Sequence, residues 1–241
     1  MGWEALGQWG PDAARIEPLS GGIANDIWSV RVGGVRAVAR LGRRSDADLA
    51  WEAELLLHLD RNGLAVPVPV PTSDGRLFAE GLTVMRYLEG SSPETAADWR
   101  RVAAVLREVH RLTRGWPQRP GWRASLDLLQ ERKGTRIDLD RMPGEAVVRC
   151  RAAWARLAGW EQSVVHGDPN PRNIRMTGER VALIDWDEAH VDVSALDLEL
   201  PHNAAGLEDF DRVYQASAAW EAAVCWDDDY AKRRLAEVRA V

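Results

Sequence analysis

The period at which apolar residues recur changes once along the chain. Up to about residue 88 most of the pattern has the alternation of strands. Residues 15–19 predict a strand that ends at Ser20-Gly21-Gly22. Residues 27–32 and 35–41 flank Gly33-Gly34, a pair suited to a two-residue hairpin because glycine takes positive φ without steric cost. A helical period follows over 46–60, with Leu49, Ala53, Leu56 and Leu57 on one face, and Asn62-Gly63 ends it. VPVPVP at 66–71 is extended, because each Pro fixes its own φ and biases its predecessor away from the helix. Residues 72–75 read as a turn and 81–88 as another apolar strand, broken by EGSSP.

Beyond that point helical spacing dominates. Residues 95–112 predict a long helix with Val102, Val105, Leu106 and Val109 on one face. GWPQRPG at 115–121 is a loop, and helices are expected at 126–133 and 145–157. Short strands return at 163–165, 174–176 and 181–184, and helical patterns over 207–224 and 228–238 close the chain. The expected architecture is α+β: a small strand-rich lobe over residues 1–88, ending in a hinge, and a larger, mostly helical lobe over 89–241. Two lobes predict a cleft, and clefts bind ligands.

Composition narrows the classes. The 241 residues are 46% hydrophobic and 28% charged, with a formal net charge of -6. An acidic balance argues against nucleic acid as a partner, since phosphate backbones are met by clustered Lys and Arg. Lys133 and Lys232 are the only lysines, so a role that needs Lys in the first half has no candidate. No apolar run approaches a membrane span. The N-terminus lacks a basic-then-apolar leader, and Leu6 stands where a myristoylated chain carries Ser or Thr. A cytoplasmic protein with no membrane partner is expected. Cys150 and Cys225 do not make a disulfide framework, and no His/Cys cluster has zinc spacing. The twelve Trp are expected mainly in cores.

The candidate chemistry lies in VVHGDPNPRNI at 164–174 and LIDWDEA at 183–189. Asp168, Asn173 and Asp185 follow short apolar strands. Phosphoryl transfer needs this set of groups: one Asp to orient or deprotonate the attacking hydroxyl, and hard oxygen ligands to hold Mg²⁺ against phosphates. His-Gly-Asp alone is as readily a turn. No Walker A motif occurs in the chain.

HGDPNPRN followed by LIDWDEA resembles the catalytic loop and metal-binding segment of the aminoglycoside phosphotransferase family, which includes choline, homoserine and fructosamine kinases and has the protein-kinase-like fold. The resemblance extends over about residues 19–197. It implies that Asp168 is the catalytic base, that His166 braces the loop, that Asn173 and Asp185 hold Mg²⁺, and that Asp197 supports the catalytic loop from behind. LSGGIANDIWSV (19–30) is similar to the family's nucleotide-covering loop, which puts Ser20, Gly21 and Gly22 beside the phosphates; without the rest, a plain hairpin turn explains those glycines equally well. Glu52 matches the family's helix glutamate and Arg40 its strand cation, which is Lys in protein kinases. Whether Arg40 touches phosphate or only fixes Glu52 stays open. VMRYLEG (84–90) looks like the hinge, where main-chain groups of Arg86, Tyr87 and Leu88 would meet the adenine.

The implied activity is transfer of the γ-phosphate of ATP or GTP to a hydroxyl of a small molecule, by a monomer or weak dimer. The acceptor is an aminoglycoside-like antibiotic, or an amino alcohol or sugar. With 56 residues after Asp185, a small pocket is expected, against the largest aminoglycosides. The alternative is a catalytically silent nucleotide-binding scaffold, motivated by Arg40 in place of Lys. His202 and Asn203 suit either the substrate side or a helix cap. The acidic run Asp227-Asp228-Asp229 reads as a solvated helix start or, less readily, as a receptor for a substrate amine. His110 reads as structural.

Overall fold

A computed structural model describes residues 2–19 and 26–239. In chain order, the strands and helices are β1 (Ala14–Pro18), β2 (Asp26–Val32), β3 (Val35–Leu41), α1 (Asp46–Arg61), β4 (Leu82–Arg86), α2 (Ala96–Leu112), α3 (Gly144–Ala155), β5 (Gln162–Val165), β6 (Ile174–Thr177), β7 (Arg180–Leu183), β8 (His190–Val193), α4 (Phe210–Val224) and α5 (Asp229–Glu237). Contacts divide the chain into two compact units: Met1–Ser91 with Ile174–Ile184, and Ser92–Asn173 with Asp185–Val241.

The first unit is built on a four-stranded antiparallel sheet in the order β1-β2-β3-β4. Gly33 and Gly34, both at positive φ, make the turn of the β2–β3 hairpin, which pairs in register from Val32–Val35 to Asp26–Leu41. Ser45 caps α1 by accepting from the Asp48 N–H. The helix buries Leu49, Ala53, Leu55, Leu56 and Leu59. A 3₁₀ helix at Trp3–Trp9, absent from the sequence expectation, sets Ala5, Leu6 and Trp9 into the core that contains Val30, Ala39 and Val84. The β6–β7 hairpin joins this unit through a bridge from Ala182 to Ala65, one from Met176 to Ser91, and a bond from Thr177 Oγ1 to the Glu89 carbonyl. Gly90 permits that approach, since a Cβ there would lie 2.7 Å from the Met176 carbonyl oxygen.

The second unit is helical around one two-stranded sheet, β5–β8. Thr95 and Asp98 form a reciprocal capping box at the start of α2. Its core gathers Leu128, Leu139, Cys150, Trp154, Leu157 and the alanines of α4. Burial pushes the Cys150 thiol up to about 12, so it acts as a small apolar group. Trp154 is fully buried and donates from Nε1 to the Ala216 carbonyl at 3.2 Å.

One expectation fails here, and one strand appears that the sequence pattern does not predict. The helix expected at 126–133 is only a 3₁₀ turn, Asp127–Leu129. Asp127 bonds back to the Ala124 N–H, and Ser125 is held through N and Oγ by Asp192, each at 2.7 Å. Those bonds set the chain direction against helical propensity. Strand β8 was not expected, because HVDV is short and half polar; its pairing with β5 makes it a strand. Among the described residues no helix is long and apolar enough to cross a membrane.

Candidate active site

The centre of the second unit is the turn that follows β5. Val164 and Val165 are buried, and the chain then turns outward at His166-Gly167-Asp168. Asp197, itself buried, holds this turn. Its Oδ2 accepts from the His166 N–H at 2.6 Å and its Oδ1 from the Gly167 N–H at 2.9 Å. His110 on α2 adds a third bond, from Nε2 to Oδ2 at 3.0 Å. An ionised carboxylate only accepts, so His110 is the donor. Burial works to raise the Asp197 carboxyl, but the hydrogen bonds it accepts from His110 and the Gly167 N–H outweigh it. The group is held below the usual carboxylate range.

Gly167 sits at φ 83°, and a Cβ there would meet the Glu188 carbonyl oxygen at 2.5 Å. Neighbouring backbone cannot yield as a flexible side chain can. Gly167→Ala is therefore expected to lower stability by ~2–3 kcal/mol from the combined conformational and steric cost, read as a drop in melting temperature. An unchanged melting temperature contradicts the close approach.

Asp168 is half-buried, and its carboxylate is gripped by two amides. Asn170 Nδ2 donates to Oδ1 at 2.8 Å and to Oδ2 at 2.9 Å. Asn173 Nδ2 donates to Oδ2 at 2.9 Å and to the Asp168 carbonyl at 3.0 Å. The amide nitrogen of Asn173 is thus spent on Asp168, and its oxygen is the atom left for a ligand. Pro169 and Pro171 stiffen the link, which closes as a 3₁₀ turn at Pro171–Asn173. His166 is fully buried, with its ring 4.8 Å from Trp186 and its Nδ1 accepting from the Asp168 N–H at 3.3 Å. It braces the turn and does not line the cavity beside Asp168.

Asp185 follows β7 at φ 63°, a left-handed conformation that Asp tolerates better than most residues. The next residues are held by Arg119, which is 1% exposed. Its Nη1 donates to the carbonyls of Trp186, Asp187 and Ala189 at 3.2, 2.9 and 2.7 Å. The Gln118 amide pairs with both backbone groups of Val191, at 2.8 and 3.0 Å. Neither residue was expected to matter, nor was Asn170. Only the alternation of Pro with polar residues in GWPQRPG and DPNPRN hints at them.

Beside Asp168 lies a cavity of about 300 Å³, within the range of small-ligand sites. Asp168, Asn170, Trp99, Trp220, Glu199 and Glu221 are among its lining residues. His190, stacked between Trp122 and Trp220 at 4.8 and 4.7 Å, also contributes to its wall. His202 and Asn203 do not line it; the Asn203 amide closes a loop onto both backbone groups of Leu207. The acidic run is used at the surface. Asp228 caps α5, Asp229 pairs with Lys232, and Asp227 pairs with Arg141.

In the first unit, Arg40 Nη2 lies 2.5 Å from Glu52 Oε1, both side chains being almost fully buried. Arg44 is a second partner of Glu52. The N–H of Arg86 is taken by the Val68 carbonyl at 2.9 Å, and its side chain reaches Asp60. The Tyr87 ring lies 4.3 Å under the Arg36 guanidinium, and Leu88 is half-buried. Ser20, Gly21 and Gly22 lie outside the described residues. Among the described residues no three His, Cys, Asp or Glu side chains gather as a metal site.

Comparison with known proteins agrees with this fold. A homoserine kinase of Beijerinckia indica subsp. indica is 31% identical over 178 residues, which cover 67% of this chain and 54% of that protein. The chain spans about half the length of the curated relatives it matches. A microcompartment-associated aminopropanol kinase superposes with a TM-score of 0.66 at 15% identity, covering 98% of this chain and 92% of that one. A thermostable mutant of the aminoglycoside phosphotransferase APH(4)-Ia, solved with ADP and hygromycin B, gives 0.65 at 17% identity, covering 98% and 94%. The fold is α+β and protein-kinase-like. The model of the phosphotransferase enzyme family (APH) matches residues 15–240, nearly the whole chain, and the protein belongs to that family.

Proposed function

We propose that the protein is a small-molecule O-phosphotransferase that moves the γ-phosphate of a nucleoside triphosphate, ATP or GTP, to a hydroxyl. The observation that carries this reading is the Asp168 carboxylate, fixed by two amides at the edge of a cavity of about 300 Å³. An acceptor hydroxyl in that cavity gives its proton to Asp168. Its oxygen bonds to the γ-phosphorus as the bond to the β–γ bridging oxygen breaks, and the nucleoside diphosphate leaves. Positioning contributes much of the rate.

The donor set fits Mg²⁺. The ion takes hard oxygen ligands, few of them from protein, and keeps waters and phosphates for the rest. Asn173 Oδ1, freed by the use of Nδ2 on Asp168, and the Asp185 carboxylate would hold it. The ion would offset the charge on the β- and γ-phosphates.

On this reading residues 1–88 take the nucleotide, and 89–241 carry the catalytic loop and acceptor site. Tyr87 and Leu88 offer main-chain groups to the base, Arg86 having spent its N–H on Val68. Arg40 makes with Glu52 the ion pair that Lys makes in protein kinases, which weakens the motive for a silent scaffold. The acceptor is small, an amino alcohol or sugar, since a cavity of about 300 Å³ suits it better than a large aminoglycoside. The enzyme works in the cytoplasm as a monomer or weak dimer.

A panel of hydroxyl compounds, each with ATP or GTP, tests this by nucleoside diphosphate release. Release that needs both an acceptor and Mg²⁺, and that stops on chelation and returns with the metal, is expected. Nucleotide binding with no release for any acceptor contradicts the reading.

A further inference from the structure

His190 opens β8 and lines the cavity beside Asp168, yet it is only 2% exposed. Trp122 and Trp220 cover its two ring faces, at interplanar angles of 25° and 12°. Its edges are bonded at both nitrogens. Nδ1 lies 2.7 Å from the Glu188 carbonyl oxygen. A carbonyl only accepts, so Nδ1 is the donor. Nε2 lies 3.3 Å from Asp192 Oδ2. Asp192 is fully buried and accepts from the Ser125 N–H, the Ser125 hydroxyl and the Val193 N–H, each at 2.7 Å. With donors on both its oxygens this carboxylate acts as an acceptor, so Nε2 donates too. Stacks on both faces and bonds at both edges leave the ring one orientation.

The Glu188 carbonyl is the atom against which the catalytic turn is packed. A Cβ on Gly167 would lie 2.5 Å from it, and Gly167 directly precedes Asp168. Arg119 takes the carbonyls on either side, those of Asp187 and Ala189. His190 takes the one between them. The turn is thus held by Asp197 through the His166 and Gly167 N–H groups, and bounded by the Glu188 carbonyl at Gly167.

We propose that His190 is a positioning residue for phosphoryl transfer: its Nδ1–H fixes the Glu188 carbonyl against Gly167, and that contact sets where the Asp168 carboxylate stands. The two indoles and Asp192 aim Nδ1. A displacement of about 1 Å in a reacting group can cost about 10²-fold in rate, so a hold one residue from the base reaches kcat. The catalytic consequence rests on the phosphotransferase reading; the hold on the turn does not.

Two amide variants separate the bonds, because an Asn amide nitrogen overlays Nδ1 and a Gln amide nitrogen overlays Nε2. His190→Asn keeps the donor to Glu188 and leaves Asp192 short of one. His190→Gln keeps the donor to Asp192 and releases the Glu188 carbonyl. Both lose the stack. Hydrogen exchange at the His166 and Gly167 amides, taken relative to the amides of α3, reads the turn in the full chain. Release of nucleoside diphosphate from ATP and Mg²⁺, with ethanolamine and with glycerol as acceptors, reads transfer. His190→Gln is expected to exchange the two turn amides about tenfold faster than His190→Asn does. Its kcat is expected to be about tenfold lower than that of His190→Asn, with acceptor KM alike in the two. His190→Asn is nonetheless expected to melt lower, because a buried carboxylate has lost a donor. A residue that serves stability alone gives the same order in melting temperature and in kcat. Turn exchange that is equal in the two variants or faster in His190→Asn overturns the proposal, and so does a lower kcat in His190→Asn. If either variant does not fold, nitrogen-15 resonance of the wild-type ring decides. A protonated Nδ1 with scalar coupling across the hydrogen bond to Glu188 supports the proposal, and an unprotonated Nδ1 overturns it. If neither acceptor gives release with the wild type, while the panel of hydroxyl compounds also gives none, the phosphotransferase reading fails. The exchange order then decides alone whether His190 holds the turn.

Discussion

Asp168→Asn is expected to lower kcat about 10²–10⁴-fold, the usual contribution of a positioned acid–base group, in a protein that still folds. The substitution keeps the shape of the side chain and one acceptor oxygen for Asn170 and Asn173, which hold it now at 2.8–2.9 Å. It removes the group proposed to take the hydroxyl proton. Asp168 is half-buried and carries no part of the core, so a melting temperature within a few degrees of the wild type is expected. Nucleotide affinity should also survive, because the proposed metal ligands are untouched. Asp185→Ala gives the contrasting pattern: turnover falls together with the Mg²⁺ dependence of nucleotide binding. Near-normal turnover in a folded Asp168→Asn protein refutes the assignment of the base.

Asp197→Asn is expected to cost stability first and activity as a consequence. The carboxylate accepts from two backbone N–H groups and from His110 in a buried setting. The amide offers one oxygen and brings its own donors, so at least one buried donor loses its partner. Breaking a buried charged contact in this way costs about 3–5 kcal/mol. The sign of the pH effect follows from the Asp197 carboxyl being held below its ordinary value. A group with a lowered folded value contributes stability in full above its unfolded value, near pH 4 for Asp. That contribution is lost as pH falls through the lower folded value. Urea denaturation at a series of pH values should show a gap between wild type and Asp197→Asn that is constant above about pH 4 and narrows below it. A gap that keeps its full size into strong acid contradicts the account of a buried, ionised carboxylate.

The fold was legible wherever local pattern and local chemistry agree. Alternation over 27–32 and 35–41 with two glycines between them is enough for a hairpin, and that hairpin is present with the expected turn. Thr95 and Asp98, three residues apart before an apolar period, are enough to start α2. The spacing of Asp168 and Asn173 was readable for a similar reason. Two prolines leave the intervening backbone few options, and the side chains meet within one turn. The expected helix at 126–133 failed because its controlling bonds come from Asp192, 67 positions away from Ser125.

What the amino-acid order carries unaided is the set of reactive groups, their spacing, the period of each element and, through resemblance, the family. The groups that hold those residues in place emerged with the folded chain. Arg119 acts on carbonyls 67 to 70 residues away, and Arg234 on α5 pairs with Glu199, which lies outside that helix. Backbone carbonyls have no residue-specific signature, and a guanidinium fork reaches them without any fixed sequence interval. The charge balance of the cavity likewise depends on which carboxylates end up beside which cation. Packing of α4 and α5 sets that outcome, and no run of neighbouring residues records it.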